Sequence, residues 1–527
     1  NGVNLLRSIS AWTHIILNNE NPYYYSHHKI NKTFSFHEEE TKGLIELFRI
    51  KFDPLLQTQS PESPAYSQYK QKLEKKCSEI IDKVEKKIFL EGIHFIHNVQ
   101  KTNYYIPTKT GLAFRINPDI LNEKYYPQKP YGIFFIVGRH YRFFQIRWRD
   151  IARGGLRIVV PRSKVDHGYP LAGLFDEVYG LSYAQQLKNK DIPEGGSKAV
   201  LIVNPGSEPK RAAHGAINAL LDLLVPEDET HERTETRLIS YYPKEEIIFL
   251  GPDENVTNDL IIWATEQAAR RGYKYARAFM SSKPEEGISH KQYGVTSEGL
   301  HVYVDKMVKH LGLDKKKTFT IKMTGGPDGD VAGNELKILY RSYKKQAKVV
   351  AVADGLGAAY DPEGLNWKEL LRLVDKEESI CHFNPKSLSK SSEAYVIGID
   401  TSENLQKRND LHFIAKTDLF IPAGGRPYTV KESNVEKFFD HEGQPSCKAV
   451  IEGANIFFTG EARKVLQERG VLMIKDSSAN KTGVICSSFE ILASLALEKD
   501  EFMKIKDTYI EQVIDILRKK ASMEATL

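Results

Sequence analysis

Cysteine is scarce, and Cys77, Cys381, Cys447 and Cys486 lie far apart with no Cys-x-x-Cys pair. That spacing suggests neither a disulfide framework nor a thiolate zinc site. A reducing intracellular setting, cytoplasmic or mitochondrial, fits better than secretion. No apolar run approaches the ~18 residues that a membrane span needs, so no membrane segment is expected. A formal charge of +5 is slight for this size, and basic residues are interspersed with acidic ones rather than gathered into an arm. Nucleic acid is therefore not implied. Also missing are an internal repeat, a methionine at position 1 and the charged, apolar, small-residue order of a secretion signal. The chain reads as a fragment of a longer protein.

What is present is ordinary soluble composition, with 41% apolar and 27% charged residues in a chain of 527. At roughly 150 residues apiece that length suggests about two to four domains. From Leu5 to Leu56 mixed apolar spacing predicts short helices. Steps mostly of three and four through Leu73, Cys77, Ile80, Ile81, Val84 and Ile88 predict one amphipathic helix from Tyr66 to about Phe95. His94 and His97 have a metal-compatible spacing but no further ligand nearby, so they are read as packing and no metal site is expected. Tyr104–Ile116 reads as a strand, and Tyr131–Val137 with Tyr141–Trp148 as a hairpin. Short buried strands at Ala199–Val203 and Glu246–Leu250 then alternate with helices. A second alternating block has strands at Thr318–Met323, Lys348–Ala353, Asp418–Ile421 and Lys448–Ile451, the pattern of a doubly wound sheet. Ser387–Ser392 reads as a loop, and Phe489 to about Ala521 as helix.

Two stretches carry chemistry. Leu187-Lys188-Asn189-Lys190-Asp191-Ile192-Pro193-Glu194-Gly195-Gly196-Ser197-Lys198-Ala199 reads as a short glycine turn with lysines at both ends. Crowded cations lower the pKa of a desolvated lysine, which then serves as acid or base near neutral pH. The second stretch, Thr324-Gly325-Gly326-Pro327-Asp328-Gly329-Asp330-Val331-Ala332-Gly333-Asn334, follows an apolar strand and opens a helix, the context of a phosphate-binding turn. Gly326, Gly329 and Gly333 permit the tight turn and close helix packing. Asp354, after the strand ending at Ala353, is placed to accept from a ribose 2′-hydroxyl and to repel a 2′-phosphate. These features point to NAD.

Four segments together resemble the amino-acid dehydrogenase superfamily, specifically its large-subunit NAD-dependent glutamate dehydrogenases. They are Ala152-Arg153-Gly154-Gly155-Leu156-Arg157, the lysine stretch, the region from Gly251-Pro252-Asp253 through Asp259 to Gly294-Val295-Thr296, and Ile451-Glu452-Gly453-Ala454-Asn455 with the run Asn480 to Ser487. The resemblance implies that Lys198 is the catalytic lysine and that Asp259 moves protons to and from the amino group. It implies Lys188 for the α-carboxylate, Arg153 and Ser487 for the distal carboxylate, and Asn455 beside substrate and nicotinamide. On the cofactor side it implies Thr296 and Asn480 near the nicotinamide, with Gly326, Gly329, Asp330 and Val331 in the dinucleotide turn.

The match departs from the family in places. Arginine stands at 153 where the family usually has lysine, which keeps the cation and can grip a carboxylate twice. An ungapped match puts Gln186 in place of Lys188, and a shorter loop leaves Asp253 as an alternative to Asp259. The lysine stretch ends Ser-Lys-Ala where the family has Gly-Lys-Gly. Each residue also has a plain structural alternative: Arg153 and Lys188 as salt-bridged cations, Asp259 and Thr296 as helix caps.

The resulting expectation is an α/β, two-domain amino-acid dehydrogenase-like architecture. It divides into a helical extension (1–101), a mixed-sheet substrate domain (102–294), a Rossmann-type NAD domain (295–482) and C-terminal helices (483–527). The expected activity is reversible oxidative deamination of L-glutamate to 2-oxoglutarate and ammonia by a homo-oligomer, with the substrate between the two α/β domains. The rivals are a leucine- or phenylalanine-type dehydrogenase and a catalytically silent module of the same fold.

Overall fold

A computed structural model describes residues 2–56, 63–161, 170–188, 192, 194–225 and 238–527, which form two compact units. The first comprises Asn1–Leu187 with Ile192–Pro284, and the second Lys188–Asp191 with Glu285–Leu527. Among the described residues no helix is long and apolar enough to cross a membrane.

The first unit is built on a mixed sheet. Its strands are β1 (Val99–Thr102), β2 (Leu112–Ile116), β3 (Gly132–Val137), β4 (Tyr141–Arg147), β5 (Ile151–Val159), β6 (Gly195–Val203), β7 (Ile239–Ser240) and β8 (Ile247–Pro252). They lie in the order β7-β1-β2-β3-β4-β6-β5-β8. β5 runs parallel to both β6 and β8, whereas β1 to β4 and β6 pair antiparallel. Period-two alternation decides the two faces. Phe114, Phe135 and Phe144 turn to one core, while their neighbours Ala113, Phe134 and Phe143 turn to the other. Helices Pro209–Leu224 and Asn258–Arg270 cover the second face.

The N-terminal helices cover the first face. Trp12 packs edge-on to Phe135 and Phe175, with ring centroids 5.5 and 5.7 Å apart. The segment before residue 102 thus belongs to the same compact unit as the sheet. The single helix expected from Tyr66 to Phe95 is two, Pro64–Ser78 and Lys83–Asn98. Asp82 starts the second by accepting from Val84 N and Glu85 N, a local cap that interrupts a continuous apolar stripe. Buried Lys51 closes that helix's far end, donating to the carbonyls of Ile96, His97 and Val99 at 2.6–2.9 Å. The strand expected from Tyr104 covers only Leu112–Ile116, because a turn from Asn103 through Pro107 precedes it.

The second unit is doubly wound. Its strands are β9 (Phe319–Thr324), β10 (Ala347–Ala353), β11 (Gly357–Tyr360), β12 (Tyr395–Gly398), β13 (Thr417–Pro422), β14 (Cys447–Ile451) and β15 (Leu472–Ile474), in the order β12-β11-β10-β9-β13-β14-β15. β9 is parallel to β10 on one side and to β13 on the other, so the chain reverses its winding at β9. Ligands bind at such switch points, beyond the carboxyl ends of the strands. The expected loop at Ser387–Ser392 lies between β11 and β12, where Ser389 N and Oγ donate to Asp361. The C-terminal helical stretch is two helices, Thr482–Ala496 and Lys499–Glu524, separated where Glu498 and Glu501 form a capping box.

Candidate active site

Of the glycine-lysine stretch, Gly195–Ala199 is strand rather than turn, and residues 189–191 and 193 lie outside the described residues. Gly195 and Gly196 begin β6, and contact rather than backbone freedom requires them. A Cβ at Gly196 would stand 2.2 Å from Gln186 N, and one at Gly195 would stand 2.6–2.8 Å from Arg149. Gly154 in β5 has the same cause, since its Cβ would fall 1.6 Å from the Ser197 carbonyl oxygen. β5 and β6 therefore lie in register, Ala152 opposite Gly195 and Arg153 opposite Gly196.

On this frame the Lys198 ammonium meets the Asp253 carboxylate, just past the carboxyl end of β8. Gly155 leaves room for the pair: a Cβ there would be 3.2 Å from Lys198 Nζ and 3.3 Å from Asp253 Oδ2. Burial pushes the Asp253 carboxyl up, but Lys198 and Arg157 overcome it and hold the group down at about 2. Asp259, expected to move protons to and from the amino group, lies exposed in the first turn of helix Asn258–Arg270. Thr257 caps that helix, so Asp259 is not its N-cap either. Asp253 is the acid that the fold places on Lys198.

Arg153 is 3% exposed. Its Nε donates to Glu194 Oε1 at 2.7 Å, and Nη2 lies 2.6 Å from the same oxygen as an ion pair. Glu194 was not foreseen from the sequence. Gln186 is also accounted for, because its Oε1 accepts from Gly196 N at 2.8 Å and ties the preceding helix to β6.

Lys188 groups with the second unit, where it is buried and donates to Asn480 Oδ1 at 2.8 Å and Asn455 Oδ1 at 3.0 Å. Asn480 Nδ2 in turn donates to the Gly453 carbonyl and to Asn455 Oδ1, both at 3.0 Å. The structure thus joins three expected site residues in one hydrogen-bonded cluster. Thr296 is not a cap, since Gly294 occupies that position with φ +58°. It abuts the Asn480–Ser487 run, where a Cβ at Gly483 would lie 2.6 Å from Thr296 Oγ1. Ser487 Oγ donates to the Gly483 carbonyl at 3.1 Å and is 3.2 Å from Nε2 of His290, a neighbour not foreseen.

The dinucleotide turn joins β9 to helix Asp330–Tyr343. Gly325 has φ +95°, and a Cβ at Gly326 would press within 2.3 Å of Asp328 Oδ1 and 2.4 Å of Asp354 Oδ2. At Gly333 it would meet the Pro327 carbonyl at 2.4 Å, so helix and turn pack as closely as a glycine pair allows. Gly329 is the N-cap and has no side chain to offer, which leaves first-turn N–H groups for an anion. Asp330 opens the helix, and burial raises its carboxyl as it raises that of Asp328. Val331 accepts from Ser297 Oγ through its carbonyl at 2.9 Å.

Asp354 differs from its expected role. Its two oxygens already accept from Leu356 N, Gly357 N, Ser379 Oγ and Ile380 N at 2.7–3.0 Å. A carboxylate offers about four acceptor positions, so this one is filled by the β10–β11 turn and the Ser379 segment rather than standing open to a ribose.

Residues 287–525 match the model of the family described as Glutamate/Leucine/Phenylalanine/Valine dehydrogenase. Glutamate dehydrogenase 2 of Dictyostelium discoideum is 38% identical over 453 residues, 82% of this chain and 42% of that protein. The probable NAD-specific glutamate dehydrogenase of Schizosaccharomyces pombe is 38% identical over 458 residues, 82% of this chain and 40% of that protein. The chain thus spans about two fifths of the length of these curated relatives. The crystal structure of Plasmodium falciparum glutamate dehydrogenase aligns with a TM-score of 0.50 at 16% identity, covering 93% of this chain and 85% of that one, a likeness of fold. The expected fold class, a mixed sheet plus a doubly wound sheet of amino-acid dehydrogenase type, is borne out.

Proposed function

We propose, from the premise that residues 287–525 are a Glutamate/Leucine/Phenylalanine/Valine dehydrogenase domain, that this chain carries the catalytic part of an NAD-dependent glutamate dehydrogenase. It interconverts L-glutamate with 2-oxoglutarate and ammonia and works as a homo-oligomer. The observation that carries this reading is the Lys198–Asp253 pair set over Gly155, where any side chain would crowd both groups.

NAD fits the second unit on two counts: an uncapped helix N-terminus follows a glycine turn, and that turn sits where the sheet reverses its winding. Gly326, Gly329, Asp330 and Val331 would hold its diphosphate, with Thr296 and Asn480 toward the nicotinamide. Asp354 would act by its charge, disfavouring a 2′-phosphate, while its hydrogen bonds keep the turn in shape. When bound, the nicotinamide supplies the hydride acceptor for the substrate Cα–H.

The protein's own groups do the rest. The resemblance gives Arg153 and Ser487 to the distal carboxylate, Lys188 to the α-carboxylate and Asn455 to the substrate and nicotinamide. Lys198 Nζ stabilises the oxygen of the attacking water, and Asp253 relays protons to and from the nitrogen. A carboxyl held down at about 2 is ionised throughout the neutral range and keeps the Lys198 ammonium in place before substrate arrives.

The test is nicotinamide reduction by the full-length protein with glutamate, leucine and phenylalanine in turn. Turnover of glutamate alone is expected. Oxidation of leucine or phenylalanine with none of glutamate overturns the substrate assignment, and absence of NAD binding by calorimetry overturns the enzymatic one.

A further inference from the structure

We propose that Glu194 is a positioning residue that sets substrate specificity by fixing the plane of the Arg153 guanidinium. This inference rests on the reading above, in which Arg153 receives the distal carboxylate. Glu194 directly precedes β6, and Arg153 lies on the adjacent parallel strand β5, opposite Gly196. One oxygen, Glu194 Oε1, accepts from Nε at 2.7 Å and lies 2.6 Å from Nη2 as its ion-pair partner. The side chains are 4% and 1% exposed, so water does not compete for those donors.

A guanidinium held along this edge cannot turn without losing the Nε hydrogen bond and the close Nη2 contact, so its orientation exists before any ligand binds. The acceptor is itself immobile. Glu194 N donates to the Ile192 carbonyl at 2.8 Å, and the next residue, Gly195, lies against Arg149 so closely that a Cβ would meet it at 2.6 Å. Glu194 also cancels the charge of Arg153. Selection of a dicarboxylic amino acid then depends on where the guanidinium donors point, not on a surplus positive charge, and Arg153 donates while Glu194 aims it.

The test compares kcat/KM for glutamate with that for norvaline, a monocarboxylic amino acid of similar chain length, in E194A, E194Q, E194D and R153A. E194Q keeps an acceptor oxygen and should hold the glutamate-to-norvaline ratio within about threefold. E194D withdraws the carboxylate by one methylene, and E194A removes it. Both should lower the ratio about tenfold or more, mainly through KM for glutamate, as expected for loss of a charge-assisted contact. In an R153A background E194A should leave the ratio unchanged, because its effect passes through Arg153. A role in folding alone would reduce both substrates equally and shift the denaturation midpoint, leaving the ratio at the wild-type value. That outcome, or a further fall of the ratio in R153A, overturns the proposal. Should E194A fail to fold, the contrast between E194D and E194Q decides. A wild-type protein that does not turn over glutamate refutes the functional reading itself, a result that no Glu194 variant can mimic.

Discussion

Replacing Asp253 with asparagine separates the acid paired with Lys198 from Asp259, the proton carrier that the family resemblance implies. The carboxyl is held at about 2 against an ordinary 3.8, a difference on the order of 2 kcal/mol of linkage. The side chain is 35% exposed, so solvent screening reduces this to about 1 kcal/mol. A carboxyl depressed in the folded state contributes in full above its unfolded value and loses that contribution as pH falls. Wild type should therefore lose about 1 kcal/mol between about pH 4 and pH 2 that D253N does not lose, measured by urea denaturation. The catalytic effect is expected to be larger. Loss of an acid–base group and release of Lys198 should lower kcat by about 10²–10⁴, or about 3–5 kcal/mol of barrier, while NAD affinity stays the same. Asp259→Asn, on the exposed helix turn, should leave kcat within about twofold. Steady-state kinetics on both variants decides the matter. A silent D253N beside a crippled D259N would refute the assignment and the geometry behind it.

Gly155→Ala should lower kcat more than it lowers stability, because its Cβ would come 3.2 Å from Lys198 Nζ without meeting backbone; parallel kinetics and thermal melts check this. Gly154→Ala should prevent β5 from pairing with β6 and cost more than about 4 kcal/mol, read as loss of cooperative urea unfolding. Gly333→Ala should weaken NAD binding in calorimetry at least tenfold, since its Cβ would meet the Pro327 carbonyl at 2.4 Å and push helix from turn. Lys322, buried in β9, is pushed down to about 8, mainly by burial. The unfolded chain then holds more protons than the folded one between about pH 8 and 10.5, so stability should rise with pH across that window. Lys322→Met should abolish that slope relative to wild type in guanidinium titrations at several pH values.

Where local chemistry decides structure, the sequence was readable. The β9 strand, its glycine turn and the following helix are contiguous, and so are the hairpin strands β3 and β4. Most of the failures at the site come from contact between distant segments. Gly154 shows no local need for glycine until the Ser197 backbone of β6 is laid against it, and Gly195–Gly196 look like a turn until Arg149 is set against the first and the helix ending at Leu187 against the second. Glu194 is 41 residues from Arg153, and His290 is 197 residues from Ser487, so neither partner has a local signature. The choice between Asp253 and Asp259 needed the end of β8, because a shift of six positions moves a carboxylate from a strand terminus to an exposed helix turn. The helix break at Asp82 was visible in principle, as an aspartate before a run of helix formers, but the apolar period outweighed it.

The seating of Trp12 against Phe135 and Phe175 has a practical corollary. A recombinant version beginning after Lys101 would strip the N-terminal helices from the first sheet and leave Phe114 and Phe135 without the cover of Phe95 and Trp12. Such a protein should be recovered as inclusion bodies, however complete its chemistry. The leading helices are a wall of the building and not its porch.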